Sequence, residues 1–298
     1  MLNLLVISQE TGPDYLADLV FQGLIESRQI SIDTNFFADY LSSSFSGLAS
    51  IYGRGYTAFA NISDDYSEKI VRVCSAGEIR ASILRRKYDL IIYLSIQRNS
   101  QHLSHCTKCY SDNEILVLDG EDNTNIYANL LGKVTYYKRE LISNDPRVNP
   151  ISFAVPEIKI SEESSNKTFF VAPCDPRDRL TYVFSTENSY YEQYKRSYFA
   201  YTMKKGGWDC LRHYEIIMNG CVPVFLEVDK IPCRTMVNYP KQLQKDANSL
   251  FNEMVFSTMN RCHFEARYNH LAGEFNKWLR RNGTVNIYLK LFLKNLLR

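Results

Sequence analysis

The sequence predicts an α/β protein of two domains, each a parallel sheet with helices on both faces. Three observations predict it. Short apolar runs alternate with helix-spaced segments, the pattern restarts near residue 168, and 298 residues suffice for two cores of ordinary size. Apolar residues make up 45% of the chain and charged ones 23%, the balance of a folded protein rather than a disordered one.

The first element is residues 1–8, Met-Leu-Asn-Leu-Leu-Val-Ile-Ser, read as a buried strand. It lacks the basic start and long apolar core of a signal peptide, and no stretch reaches membrane-spanning length. A cytoplasmic protein is therefore expected. Its eight cysteines read as reduced core thiols, and the sequons at Asn61, Asn166 and Asn282 carry no weight. Gly12-Pro13-Asp14 then opens a helix whose stripe is Tyr15, Leu16, Leu19, Val20 and Leu24.

Residues 31–68 are polar and less regular. Beyond them, strand-like runs at 70–73, 89–95, 114–118 and 133–137 alternate with helix candidates such as 75–86, which favours a parallel sheet. The polar, serine-rich stretch 157–167 reads as an exposed connection, giving a first domain at 1–156 and a second at 168–298. In the second, strands are expected at 168–172, 198–203 and 221–226 and a helix at 209–218, with Gly220 at its C-terminal cap. Helical patterns follow at 240–253 and 275–298. The latter is basic, with Trp278, Leu279, Ile287, Leu291 and Leu296 on one face. It suits either peripheral contact with an anionic membrane or a closing helix packed across the domains, and the packed helix is expected. Both domains then read as Rossmann-like. A net charge of +2 gives no field of the kind that a nucleic-acid polymer requires.

The most informative run is 198–225, Tyr-Phe-Ala-Tyr-Thr-Met-Lys-Lys-Gly-Gly-Trp-Asp-Cys-Leu-Arg-His-Tyr-Glu-Ile-Ile-Met-Asn-Gly-Cys-Val-Pro-Val-Phe, which reads strand, glycine turn, helix, glycine, strand. Gly206 and Gly207 can bring backbone N–H groups close to a ligand at the helix start, and Lys204 and Lys205 add charge there. Arg212 and Glu215 share one helical face. A bidentate guanidinium suits a diphosphate, and a carboxylate can accept from both hydroxyls of a ribose. The same spacing also fits an ordinary helix ion pair beside glycines that merely turn the chain. Spacing alone does not choose.

The run resembles the C-terminal donor-binding region of GT-B glycosyltransferases, in particular the exostosin-like ones. The match lies in Gly206-Gly207-Trp208, Arg212, Glu215 and Gly220-Cys221-Val222-Pro223-Val224, within a stretch of about thirty residues. The resemblance implies two Rossmann-like domains facing a cleft. It implies Glu215 on the donor ribose, Arg212 and the turn around Gly207 on the diphosphate, and His213 lining the sugar end. His213-Tyr214 and the short N-terminal domain depart from many exostosins.

By the same resemblance the first domain supplies the acceptor side and, for an inverting enzyme, a base. Asp119, Glu121 and Asp122 lie just beyond a strand, where ligands of open α/β sheets bind. A crowded trio could raise one carboxyl toward the neutrality that a base needs. Asp119-Gly120 also reads as a turn, with Glu121 and Asp122 solvated. Lys138 and Arg139 follow another strand, with surface exposure expected and contact with the leaving diphosphate as the alternative. His102, His105, Cys106 and Cys109 lack the two separated pairs of a structural zinc site, so metal binding is not expected there. There is no Asp-x-Asp triplet.

The sequence thus points to a hexosyl- or pentosyltransferase that moves a sugar from a nucleoside diphosphate-sugar to a glycan or other hydroxyl acceptor, without a cofactor or required divalent metal. A sugar-nucleotide epimerase or hydrolase, or a non-catalytic carbohydrate-binding module, are the alternatives.

Overall fold

Runs of apolar residues with no polar break build the middle of the larger sheet. Leu90–Tyr93 and Ile115–Asp119 are buried at every position, as strands covered on both faces must be. In the computed structural model, which describes residues 2–9, 12–26, 30–51, 54, 56–64, 70–162, 166–256 and 260–296, these are strands β4 and β5. The others of this sheet are β1 (Leu2–Ile7), β2 (Ile30–Thr34), β3 (Val71–Val73), β6 (Thr135–Lys138) and β7 (Val148–Pro150). Their order is β3-β2-β1-β4-β5-β6-β7, and every pair is parallel. This is the doubly wound order, with its switch point between β1 and β4. Helices α1 (Tyr15–Ile25), α2 (Ala76–Leu84) and α3 (Leu103–Cys109) lie between strands. Asp14 caps α1, and Ser75 with Glu78 forms a capping box on α2.

Strand β2 falls inside the stretch that reads as irregular. It carries Asp33, which looks wrong for a buried strand. Arg72, Lys87 and Tyr88 all donate to its carboxylate, at 2.6 to 3.0 Å. Burial alone would raise this carboxyl, but those three donors hold it at about 2.

The second sheet is smaller. Strands β8 (Phe169–Val171), β9 (Ser197–Tyr201) and β10 (Val222–Val224) pair in parallel in the order β10-β9-β8. With α4 (Glu187–Lys195) and α5 (Leu211–Met218) between them, they form one β-α-β-α-β mononucleotide-binding half. Helices α6 (Lys241–Phe256) and α7 (Arg261–Asn282) follow. An aromatic cluster fills this core: Phe199 packs edge-on against Phe251 at 5.3 Å, and Phe264 lies 5.1 Å from Tyr198.

The chain divides into two compact units, Met1–Ser152 with Val285–Arg298, and Phe153–Thr284. The stretch expected to form one closing helix at 275–298 is therefore two pieces. Helix α7 stops at Gly283, and α8 (Asn286–Leu296) belongs to the first unit. There Tyr288 donates to the Ser152 carbonyl, and Phe292 packs on Tyr137 at 5.6 Å. Gly23 of α1 receives the chain, since a Cβ on it would collide with the Val285 carbonyl oxygen. No helix of the described residues is long and apolar enough to cross a membrane.

Candidate functional site

Helix α5 is short, and its C-terminal end is specified by sequence. Gly220 takes φ +65, its N–H bonds to the Ile217 carbonyl, and Cys221 N–H bonds to that of Ile216, which is the Schellman closure. At the other end the N-cap residue Cys210 makes no side-chain cap. The buried face is Tyr214, Ile216, Ile217 and Met218. Residues 202–210 join β9 to this helix and so lie at the carboxyl edge of the parallel sheet, as does the 172–176 segment after β8.

Three contacts shape that edge. The Lys205 ammonium donates to the Pro176 carbonyl, tying the two segments together. Lys204 sits 5.1 Å from the centre of the Trp208 ring. His213 is fully buried, its Nε2 lies 2.8 Å from the Trp208 carbonyl, and its Nδ1 lies 2.7 Å from the Thr202 hydroxyl. A carbonyl only accepts, so Nε2 carries the proton and Nδ1 accepts from Thr202. Burial lowers the imidazole to about 4. His213, expected at the sugar end, is thus a neutral pin that holds the 202–208 loop to α5, stacked on Phe225 at 4.7 Å. Gly206 is exposed and Gly207 buried.

Arg212 and Glu215 stand on α5 as the spacing anticipates, but they are not an ion pair. Among the described residues Arg212 pairs with no carboxylate. Its Nη1 donates to the Tyr182 hydroxyl at 2.5 Å, its guanidinium lies 4.8 Å from the centre of that ring, and its buried Nε has no hydrogen-bond partner. A half-buried guanidinium whose Nε is buried without a partner and whose Nη1 meets a phenol instead of a carboxylate is an incomplete arrangement. Glu215, only 7% exposed, accepts from the Tyr190 hydroxyl at 2.8 Å, and Tyr194 donates to Tyr190 at 3.0 Å. These tyrosines come from α4, which the sequence reading missed. Its signals were present: Thr186 and Ser189 form a capping box, and Tyr190 and Tyr194 stand one turn apart.

In the first unit the three acidic candidates do not crowd one another; each has its own cation. Asp119 is fully buried, pairs with an equally buried Lys138 at 2.7 Å, and accepts from Tyr136 at 2.6 Å and Gln97 at 2.7 Å. Burial draws the Lys138 ammonium below its usual value, against the pull of Asp119. Glu121 pairs with Arg98 at 2.7 Å, and Asp122 pairs with Arg139. Surface exposure is the expectation for Lys138 and Arg139, yet both are buried: Lys138 neutralises Asp119, and Arg139 pairs with the buried Glu140 as well as with Asp122. The signal is the register that sets Asp119 beside Lys138.

Sequence reasoning also passed over Asp18. It lies on α1 beyond the carboxyl end of β1, only 3% exposed, accepting from Asp14 N–H at 2.9 Å and from Tyr40. Burial raises its carboxyl well above the usual range. On α3, Cys106 is buried against Tyr93, and the His102 and His105 rings stand 6.3 Å apart. Among the described residues no group of three or more His, Cys, Asp or Glu could hold a metal ion.

No protein-family profile matches this chain, and no curated protein sequence matches it. In structure it is similar to MurG of Acinetobacter baumannii, at 10% identity and a TM-score of 0.42 over 99% of this chain and 100% of that one. It is also similar to Alr3699/HepE of Anabaena, crystallised with UDP-glucose, at 10% identity and a TM-score of 0.45 over 99% of each chain.

Proposed function

We propose that the second unit binds a nucleoside diphosphate-sugar and that the protein is a GT-B glycosyltransferase of the exostosin-like kind. One observation carries the reading: Arg212, on a helix at the carboxyl edge of a mononucleotide-binding half, has a buried Nε without a partner and no carboxylate among the described residues. A diphosphate supplies the missing charge and offers two oxygens to the planar guanidinium fork. Lys204 adds a second cation, the 202–210 loop offers backbone N–H groups, and Glu215 follows as a ribose acceptor. In transfer, Arg212 and Lys204 stabilise the departing diphosphate.

For the acceptor hydroxyl, taken as that of a glycan, the base comes from the acidic residues of the first unit. Glu121 and Asp122 keep 30% and 61% side-chain exposure, whereas Asp119 is committed to Lys138. Inversion and independence from divalent metal belong to the same proposal.

Acceptor dependence tests it. Release of nucleoside diphosphate that rises with added acceptor, together with a new glycoside, supports transfer. Sugar release without any acceptor indicates a hydrolase, and donor binding without turnover indicates a binding module.

A further inference from the structure

The donor reading leaves one device without a role, the pair of buried phenols behind Glu215. Tyr190 and Tyr194 are 7% and 0% exposed and stand one turn apart on α4. A phenol has one proton. Tyr194 gives its own to the Tyr190 oxygen, so the Tyr190 proton points onward to Glu215 Oε2. The chain of donors therefore has a direction, Tyr194 to Tyr190 to Glu215, and each bond polarises the next.

Glutamate has three rotatable bonds, and a carboxylate left to sweep through its rotamers must be ordered before it can accept from two adjacent hydroxyls. The phenol lowers that cost in advance by holding the carboxylate at Oε2. Helix α4 is itself held in place, because the Lys159 ammonium pairs with Glu187 at 2.6 Å and the Cys174 N–H donates to Gln193 Oε1 at 3.2 Å. The Tyr190 ring packs 6.1 Å from Phe184 and 5.1 Å from Tyr194, contacts that a phenylalanine would keep.

We propose that Tyr190, oriented by Tyr194, is the positioning residue that aims Glu215, and that this relay makes the second unit select a ribose diol over a sugar lacking both hydroxyls. The inference rests on the nucleotide reading above and adds the residues that set its preference.

Calorimetric titration of the full chain with UDP, ADP, GDP and CDP, with their 2′,3′-dideoxy counterparts, and with inorganic diphosphate tests it. The unaltered protein should favour the ribonucleotide by about tenfold or more, the scale of a hydrogen bond to a charged group. Tyr190→Phe should abolish most of that preference while still binding inorganic diphosphate, and Tyr194→Phe should lower it partway. Tyr194→Phe carries the test if Tyr190→Phe does not fold. A folded Tyr190→Phe that keeps the full preference overturns the relay and leaves the donor site standing. Nucleotide binding without any ribose preference in the unaltered protein also overturns the relay. Failure of every nucleotide to bind removes the donor site and the relay together.

Discussion

At the scale of single residues, the second unit separates groups kept for stability from one that works against it. Arg212 forms no ion pair among the described residues and keeps a buried Nε without a partner, so Arg212→Met should leave the melting temperature unchanged or raise it. The same change should weaken diphosphate binding by about 30-fold or more, because a charge-assisted contact to the diphosphate is lost. Titration and a thermal melt of the two proteins check both halves. Asp119 is the opposite case. Asp119→Ala would strand a buried Lys138 and should cost about 3–5 kcal/mol in denaturant unfolding, so lost activity in that variant would report stability and not a missing base.

His213 gives a pH signature. Its imidazole titrates at about 4 when folded and near 6.5 when unfolded, so the unfolded chain binds the extra proton between those values. The stabilising contribution is complete above pH 6.5 and lost as pH falls toward 4, and it amounts to roughly 3 kcal/mol. Between pH 7 and 4 the unaltered protein should therefore lose about that much more stability than His213→Phe, measured by urea unfolding at each pH.

Among the elements, the sequence announces those whose signal is local. The Gly220 closure of α5 and the capping box of α2 can both be read from a handful of neighbouring letters. What it withholds is set by residues far apart in the chain. Strand β2 hides because Asp33 becomes tolerable only when Arg72, Lys87 and Tyr88 reach it from 39 to 55 positions away. The burial of Lys138 follows from a strand register, and the position of α8 from a contact at Gly23. Thus Arg212 and Glu215 were legible as a pair on one helix, whereas their tyrosine surroundings were not. Gly23→Ala should press a Cβ into the Val285 carbonyl and cost about 1–3 kcal/mol, with faster proteolysis at α8 than at α7 as the local readout.

On the scale of the whole molecule, two units serve the proposed chemistry unequally. The first is a complete seven-stranded doubly wound sheet with its own buried ion pairs, and the second is one three-stranded mononucleotide half plus helices. The incomplete charge lies in the second, which is why the donor is assigned there. Thermal-shift measurement across nucleoside diphosphates and nucleotide-sugars tests this claim most directly, because a ligand that binds only the folded protein raises its apparent stability. A selective upward shift is expected with at least one nucleotide-sugar, and it should disappear in Arg212→Met. No shift across the panel, or an equal shift in Arg212→Met, would contradict it.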